Sequence, residues 1–541
     1  MNSEKTNVAK RLFFGNLQGY LLSTPNNSKI ETTLRFLFWV CILIVLGWLF
    51  YFVIMTIVMP YQIEYREGAA QVMTQILLKG GNPFSFENQP FAFNNYGIAY
   101  NLVVLPLAAL FGNTLPVHRT VTFIFTALSC WVILQTIFRV NRDRLFAVTG
   151  AIFVLMGIAS RGGNGAFPSA MGEFLFLAAV LIPVYRSFDP VSLVLSAILS
   201  MVAFYTKPYF VLSFGIVASY VFIFVSKKKG LLYSLLFLLL SALSFVLIRY
   251  FYKYYFIDTV ISNISNDNHP SFSFELSQLK QFIREFYPSL ILAAIMLLLY
   301  FIAISPGISW PKGFLTYFNA PNLDQPLIMR PLNYSLYFLV CSSLAFTLIL
   351  GTHLGSYMNY LYQIVLPPFY LVLIQNIKPA SRLGLTSFFI LLLNMFLFGW
   401  LRFNPSFLQQ ANSTEWATLY QYVDNSKQVL NTPSITSELI KDEITPVDSG
   451  QTEYYYDIKP YADNRLLGQN YDVVKQNGVQ YKTLIHNSVI NAQYDHIFIT
   501  KELHSFAPTD IGKYYSPVRT LEISMPQVDQ HWTVEIWEPK P

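Results

Sequence analysis

The chain has 541 residues, of which 54% are hydrophobic, 17% aromatic and 12% charged. A soluble protein carries about 25% charged residues, so this composition excludes an ordinary soluble enzyme and predicts a polytopic membrane protein. The net charge of +6 follows the loops and does not indicate nucleic-acid binding, and the three cysteines lie in apolar runs without disulfide or metal-ligand spacing.

The apolar runs predict about eleven transmembrane helices, because a helix needs roughly 20 residues to cross a bilayer. The predicted spans are 35–59, 118–138, 145–160, 169–185, 190–205, 208–226, 231–250, 287–305, 333–351, 358–376 and 382–402. The run 96–112 is shorter and contains Pro106, and we predict a helix on the outer face instead of a span. With that assignment the basic loop residues fall on one side, as the positive-inside rule requires.

This topology places the leader 1–34 in the cytoplasm and three regions outside the membrane, which are 61–117, 251–286 and 403–541. The last region is polar and contains the strand-like runs "DHIFIT" and "WTVEIWEP" after the helical pattern "TEWATLYQYV". We therefore predict an all-α membrane domain over 35–402, followed by a small α/β extracytoplasmic domain.

The stretch "IEYREGAAQ", directly after the first span, carries two carboxylates, Glu64 and Glu67. If 67–78 is helical, both lie along one polar stripe with Gln71 and Gln75. A carboxylate at this place is suited to act as a general base on a hydroxyl or amine, or to bind a metal. An ordinary interfacial helix with its glutamates in water explains the same pattern, so both interpretations stay open.

Several cations are predicted at the outer ends of spans: Arg161, Lys207, Arg249 and Lys253. Together they are able to neutralise a phosphate group, whereas snorkelling to lipid headgroups would explain each one singly. Lys207 is the best placed, because Pro208 follows it in a short loop between two spans. The one acidic residue found inside a span is Glu173, which is either functional or paired with Arg161.

The loop "GTHLGSYMNYLYQIVLPP" is rich in aromatic and amide side chains. Such groups bind sugars, and a sugar site in this loop would use His353, Tyr357, Asn359, Tyr360 and Gln363. A belt of interfacial tyrosines accounts for Tyr357 and Tyr360 equally well.

The order of these features resembles the GT-C superfamily of integral-membrane glycosyltransferases, which includes protein O-mannosyltransferases and aminoarabinose- or arabinofuranosyl-type transferases. The run "EGAAQVMTQILLKGGNPF" (Glu67–Phe84) is similar to the family's acidic residue followed by "LL-x-G-x-x-P-[YF]". "FGNTLPVHR" (Phe111–Arg119) resembles the family's passage into its second span. Relatives usually have Asp before the glutamate, whereas this chain has Arg66, which leaves a divalent metal open.

The resemblance implies an inverting transferase that uses a polyprenyl-phosphate-linked sugar in the lipid bilayer. The implied acceptor is an extracytoplasmic glycan, lipid or protein, and the implied location is the bacterial inner membrane, although an endoplasmic-reticulum protein would show the same pattern. Glu67 would be the general base, Glu64 the second carboxylate, and Arg161 and Lys207 would lie near the donor phosphate.

Two other functions are compatible with the composition. A polysaccharide polymerase or ligase with a lipid-diphosphate donor would make 251–286 the central loop. A coupled transporter would place ionisable residues near mid-membrane and show paired halves, neither of which is evident in the sequence.

Overall fold

The structure is a computed structural model that describes residues 28–84, 96–159, 165, 166, 168–261, 272–304, 331–350, 360–375, 382–403, 413–444, 470–500, 510–525 and 530–541. The described part before residue 404 is helical. Its α-helices are α1 (Ser28–Val58), α2 (Glu67–Leu78), α3 (Ala99–Phe111), α4 (Leu115–Asn141), α5 (Arg144–Ala159), α6 (Ser169–Tyr185), α7 (Pro190–Phe204), α8 (Leu212–Tyr220), α9 (Lys227–Phe251), α10 (Phe272–Ile304), α11 (Pro331–Ala345), α12 (Leu366–Gln375) and α13 (Arg382–Arg402).

Short 3₁₀-helical and π-helical segments adjoin several of these α-helices. A 3₁₀ turn (Pro208–Val211) leads into α8, and π-helical turns occupy Val221–Val225, Ile257–Ile261, Phe346–Leu350 and Leu361–Val365. Such turns are common at helix ends and at functional sites.

Each predicted span overlaps a helix, and the run 96–112 forms the short helix α3. Within the described ranges, four helical stretches are long and apolar enough to cross a membrane by length and composition: Glu31–Val58, Leu115–Asn141, Pro208–Val225 and Lys227–Phe251. Several other apolar helices are shorter than these, so the count of eleven spans stays a prediction.

Helix α10 departs from the prediction, because it begins at Phe272 within the region 251–286 that was predicted as an outer loop. Phe282 and Phe286 lie one helical turn apart and are buried, and their rings lie 6.0 Å and 4.6 Å from that of Tyr362. Packing on a neighbouring helix therefore extends α10 beyond its apolar run.

Basic loops gather at one end of the helical domain. Arg35 Nη1 donates to Asp143 Oδ2 at 2.7 Å, and Lys229 Nζ donates to the carbonyl oxygen of Phe188 at 3.3 Å. These contacts join the beginning of α1, the α4–α5 turn, the α6–α7 turn and the beginning of α9. Arg139 Nη1 also donates to the Tyr185 carbonyl oxygen at 3.2 Å, so these four places lie at one end of the described helices. The side of the membrane that this end faces stays a prediction.

The described residues after 412, here called the C-terminal unit, form a small α/β fold. They comprise α14 (Ser413–Asp424), β1 (Val429–Leu430), α15 (Thr436–Lys441), α16 (Asn470–Ile490), β2 (His496–Thr500), β3 (Tyr515–Met525) and β4 (Gln530–Pro539). The four strands have the order β1-β2-β4-β3, with β1 parallel to β2 and the other pairs antiparallel. The two predicted strands and the predicted helix correspond to β2, β4 and α14.

The C-terminal unit contacts the segment between α1 and α2. The Tyr61 ring stacks on Trp416 with centroids 5.4 Å apart, and the Tyr65 ring lies 5.3 Å from Trp532. Both tryptophans belong to the buried core of the unit. The segment that carries Glu64 is thus held between the helices and the C-terminal unit.

Candidate active site

Glu64 lies in a buried ion pair with Arg66. Arg66 Nε donates to Glu64 Oε1 at 2.5 Å, and the Arg66 backbone N–H donates to Oε2 at 2.8 Å. The turn that precedes α2 creates this geometry, because the Glu67 N–H bonds back to the Glu64 carbonyl at 3.2 Å. Glu64 is only 1% exposed. Burial raises the pKa of the Glu64 carboxyl, while the charge and hydrogen bonds of Arg66 oppose that rise.

Lys207 lies beside this pair, in the loop between α7 and the 3₁₀ turn. Its Nζ is 4.7 Å from the ring centroid of Tyr96 and 6.0 Å from that of Tyr209. Among the described residues it has no ion pair within 4.0 Å. Burial lowers the pKa of the Lys207 ammonium to about 7, and the charge of Arg66 acts in the same direction against that of Glu64. A partly buried cation without a fixed counterion is suited to bind an anion.

Tyr96 reaches this position because its segment runs along the loop before Lys207. The Gly97 N–H bonds to the Thr206 carbonyl at 2.9 Å, and the Ala99 N–H bonds to the Tyr205 carbonyl at 3.0 Å. A Cβ on Gly97 would lie 2.0 Å from the Tyr205 oxygen, so this approach requires glycine. Tyr96 is not among the residues predicted from the sequence, where the "YG" dipeptide before α3 is its only local signal.

Of the loop that was predicted to bind a sugar, the structure describes Tyr360 and Gln363. Tyr209 Oη donates to Gln363 Oε1 at 2.5 Å, and the Tyr209 and Tyr360 rings meet edge to face with centroids 4.5 Å apart. Two of the predicted substrate-binding residues, Tyr360 and Gln363, therefore contact Tyr209, whose ring lies near Lys207. The other three, His353, Tyr357 and Asn359, lie outside the described residues.

We call Glu64, Arg66, Tyr96, Lys207 and Tyr209 the Glu64 cluster. Its two cations and one carboxylate leave it with net positive charge when Lys207 is protonated. Arg66 Nη1 also lies 3.5 Å from Tyr96 Oη, which links the ion pair to the aromatic side chains. The cluster therefore offers a proton acceptor, a cation and aromatic surfaces within one site.

Glu67 has a different environment from Glu64. Arg119 Nε and Nη2 bind its two carboxylate oxygens at 2.8 Å each, and both side chains are 0% exposed. The Ile63 and Ala166 backbone N–H groups also donate to Glu67, each at 2.8 Å. A carboxylate accepts about four hydrogen bonds, so Glu67 has no free position for a proton, a metal or a substrate.

Arg119 extends this network to the end of α1. Its guanidinium donates to the carbonyl oxygens of Thr56 at 3.0 Å, Met59 at 2.6 Å and Tyr61 at 2.6 Å. The sequence indicated Arg119 only as the last residue of a motif, because nothing local reveals a partner 52 positions away.

Three other predicted residues can be located. Arg249 and Lys253 are exposed, and among the described residues neither contacts Glu64, Arg66 or Lys207. Glu173 is 1% exposed, and its Oε1 has no hydrogen-bond partner within the described part of the chain. Arg161, its predicted partner, lies outside the described residues.

Within the described ranges, one group of carboxylates has the spacing of a metal site. Ligand atoms of Asp424, Glu438 and Asp442 in the C-terminal unit lie within 4.8 Å of one another. Lys441 pairs with Glu438, and two of the three carboxylates are exposed. This group lies in a different part of the chain from the Glu64 cluster.

Comparison with protein-family models gives no match, and comparison with curated proteins finds no similar sequence. Among solved structures, the chain is similar to the crystal structure of ArnT from Cupriavidus metallidurans bound to undecaprenyl phosphate. The identity is 12%, the alignment covers 92% of this chain and 97% of that one, and the TM-score is 0.47. The apo structure of the same protein gives 12% identity, the same coverage and a TM-score of 0.46.

ArnT is a glycosyltransferase of the GT-C family, which is the family that the sequence resembles. With 12% identity and a TM-score below 0.5, this likeness does not assign a function to the chain. The contacts of the Glu64 cluster therefore have to support any function on their own.

Proposed function

We propose that the protein is a membrane glycosyltransferase that moves a sugar from a polyprenyl-phosphate donor to an extracytoplasmic acceptor. The observation that carries this proposal is the contact between Glu64 and Arg66 beside Lys207, which has no ion pair among the described residues. Transfer from a lipid phosphate needs a base for the acceptor and a cation for the leaving phosphate, and the cluster supplies both.

The roles differ from those that the sequence predicted. Glu64 is the base, since burial raises the pKa of its carboxyl while Arg66, which opposes that rise, occupies only part of its acceptor capacity. Lys207 binds the donor phosphate, and Tyr96 and Tyr209 are the aromatic surfaces around it. Glu67 has all its acceptor positions occupied, and its role is to hold the loop through Arg119.

The reaction follows from these positions. Glu64 removes a proton from an acceptor hydroxyl or amine, and the freed electron pair attacks the anomeric carbon. The bond from that carbon to the phosphate oxygen breaks, and its electron pair leaves with the lipid phosphate. Lys207 stabilises the added negative charge, and the attack from the opposite side inverts the anomeric centre.

Gln363, Tyr360 and Glu173 are proposed to contact the sugar. Gln363 is fixed by Tyr209, and the Glu173 carboxylate is close enough to Tyr209 to interact with it electrostatically. A sugar hydroxyl is a partner that the vacant Glu173 Oε1 is able to accept from. Tyr360 and Gln363 lie on one helical segment, Glu173 on α6 and Tyr209 on the 3₁₀ turn. A site formed by three segments is expected for a pocket between helices.

The location follows from the predicted topology. We propose a multi-pass protein of a bacterial inner membrane, with the N-terminus in the cytoplasm and the C-terminal unit outside. The basic loops at the opposite end of the fold support this orientation, because cytoplasmic loops are enriched in Lys and Arg.

The first test is ligand-dependent thermal stability in nanodiscs. Wild type, Lys207→Ala and the exposed control Lys253→Ala would be heated with polyprenyl phosphate, a panel of polyprenyl-phosphate sugars, or polyprenyl diphosphate. We expect the monophosphates to stabilise wild type and Lys253→Ala but not Lys207→Ala. Stabilisation by the diphosphate alone would instead favour a polymerase or ligase, and equal stabilisation of all three proteins would remove Lys207 from the site.

A further inference from the structure

The segment that carries Glu64 is bound on one side by the C-terminal unit, and Gln62 is the residue between them. Its Nε2 lies 3.4 Å from the Glu64 carbonyl oxygen, 3.2 Å from that of Tyr65 and 3.2 Å from that of Pro433. Its Oε1 accepts from the Ser437 backbone N–H at 2.9 Å. One side chain thus bonds the backbone of the Glu64 turn and the beginning of α15.

These partners determine how the Gln62 amide is oriented. Three carbonyl oxygens surround one end of the amide and a backbone N–H faces the other, so the opposite orientation would oppose like groups. Gln62 is 1% exposed, which means that water cannot replace a lost partner. The contact is therefore specific and strongly directional.

Close packing surrounds the same contact. Gly68 in the first turn of α2 faces α15, and a Cβ there would lie 2.4 Å from the Thr436 Cβ. Tyr61 and Tyr65 flank Gln62 in sequence and pack on Trp416 and Trp532. The C-terminal unit consequently packs on residues that precede and follow Glu64.

We infer that Gln62 is a positioning residue for Glu64, and that the C-terminal unit is part of the catalytic framework and holds the carboxylate in place through it. The inference rests on the proposed role of Glu64 as the base. Gln62 touches no substrate in this arrangement. It fixes the carbonyl groups of Glu64 and Tyr65, and thereby the direction in which the Glu64 side chain leaves the turn. A displacement of about 1 Å in a catalytic group is able to lower a rate roughly 100-fold.

Two substitutions separate positioning from space filling. Gln62→Met keeps the length of the side chain and removes all of its hydrogen bonds. Gln62→Glu keeps the shape and the acceptor for Ser437 but replaces the donor with an oxygen that faces three carbonyls. Gln71→Met is the matched control, because Gln71 is also buried nearby, on α2, and donates to the backbone carbonyl of Asn113 at 3.1 Å. Within the described part of the chain its side chain makes no hydrogen bond to the C-terminal unit.

The experiment uses the full chain in nanodiscs and two readouts. Hydrogen–deuterium exchange of peptides that cover 61–69 and 433–441 reports the contact itself, and steady-state transfer reports its consequence. In both Gln62 variants we expect faster exchange in the two peptides, a fall in kcat of about 10- to 100-fold and a donor KM within about twofold of wild type. Gln71→Met should retain wild-type kcat and wild-type exchange in 433–441.

Each alternative outcome overturns the inference. Unchanged exchange would mean that Gln62 does not hold the two segments together. Faster exchange with unchanged kcat would mean that the contact is structural only. If Gln62→Met is not recovered as folded protein, Gln62→Asn, which keeps the amide but withdraws it by one methylene group, takes its place. Absence of transfer in wild type would contradict the proposed function, whereas the exchange result would still decide whether Gln62 joins the two segments.

Discussion

Glu64 and Glu67 are separated by one turn, yet in the described ranges Glu64 lies beside Lys207, which has no ion pair there, whereas Glu67 is paired with Arg119. Glu64→Gln removes the proton acceptor but keeps a side chain able to bond Arg66. We expect the transfer rate to fall about 100- to 10,000-fold, the range that a general base contributes, with little change in melting temperature. Single-turnover transfer with saturating donor, measured beside a thermal melt, checks both. Wild-type transfer in this variant would end the assignment of Glu64 as the base.

Glu67→Gln should act on stability instead. It leaves the Arg119 guanidinium buried without its counterion, a change that costs about 3–5 kcal/mol in folded proteins. We expect low yield and a lower melting temperature in nanodiscs. The double variant Glu67→Gln/Arg119→Gln removes both charges and should be less destabilised than the sum of its single variants. A Glu67→Gln protein of wild-type stability but without transfer would restore Glu67 as the base.

Lys207 should make donor binding depend on pH. Its pKa of about 7 means that the Lys207 amine is protonated below neutral pH and loses its positive charge as the pH rises above 7. An anionic donor binds the charged form, so the donor KM should be flat below about pH 7 and rise by up to tenfold per pH unit above it. Among the described residues, the charged and titratable side chains around Lys207 are Glu64, Arg66, Tyr96 and Tyr209, and none of them is a second lysine or a histidine.

Lys207→Arg is the companion variant for this pH profile. Arginine stays protonated throughout the range, so its donor KM should not rise with pH. Lys253→Arg, at an exposed position, should reproduce the wild-type curve. A flat wild-type profile, or a slope retained in Lys207→Arg, would contradict the role of Lys207.

The sequence identified some of these residues and missed others for a physical reason. Lys207 could be predicted because a short loop with proline restricts where it lies, and Glu64 because a carboxylate beside a span is rare. Tyr96 and Arg119 could not be predicted, since their roles depend on backbone and side-chain partners far away in the chain. The sequence favoured Glu67 over Glu64 as the base because Glu67 matches the family motif. The side-chain contacts that distinguish the two carboxylates cannot be read from the sequence.

At the level of elements, the segment 96–99 runs against the backbone of Tyr205 and Thr206, in the loop before Lys207, and Gly97 is the point of close contact. Gly97→Ala would push the Tyr205 carbonyl away and displace Tyr96 from Lys207. We expect a loss of stability of about 1–3 kcal/mol, as for overpacked cores, together with weaker donor binding. Gly215→Ala, where a Cβ meets nothing within 4 Å, is the control and should leave both unchanged. Wild-type melting and donor affinity in Gly97→Ala would contradict this packing.

Element types were predictable where an apolar or alternating pattern was long, as in α1, α9, β2 and β4. The beginning of α10 was not, because its first turns are polar and owe their helical form to Phe282 and Phe286 packing on Tyr362. Strand β1 has only two residues and follows no pattern that a sequence could reveal. Tertiary contacts determine the secondary structure of such short or amphipathic segments.

At the scale of the whole molecule, the predicted orientation can be measured in intact cells. In a chain without its three cysteines, Lys513→Cys on the C-terminal unit should react with a membrane-impermeant thiol reagent. Lys228→Cys, at the beginning of α9, should react only after the cells are permeabilised. The reverse pattern would invert the topology and place the Glu64 cluster in the cytoplasm, where a flipped lipid-linked sugar is not the expected donor.

The contacts of Arg119 have a consequence for how the protein is made. The end of α1 and the turn before Glu67 leave the ribosome first, but the guanidinium that binds their carbonyl groups is synthesised later. The Ala166 N–H comes later still, and Ser437 and Trp532 follow about 370 and 470 positions after Gln62 and Tyr65. The turn that carries Glu64 is therefore completed by residues that are translated long after it. A nascent chain that ends before Ser437 would lack the hydrogen bond that joins Gln62 to α15.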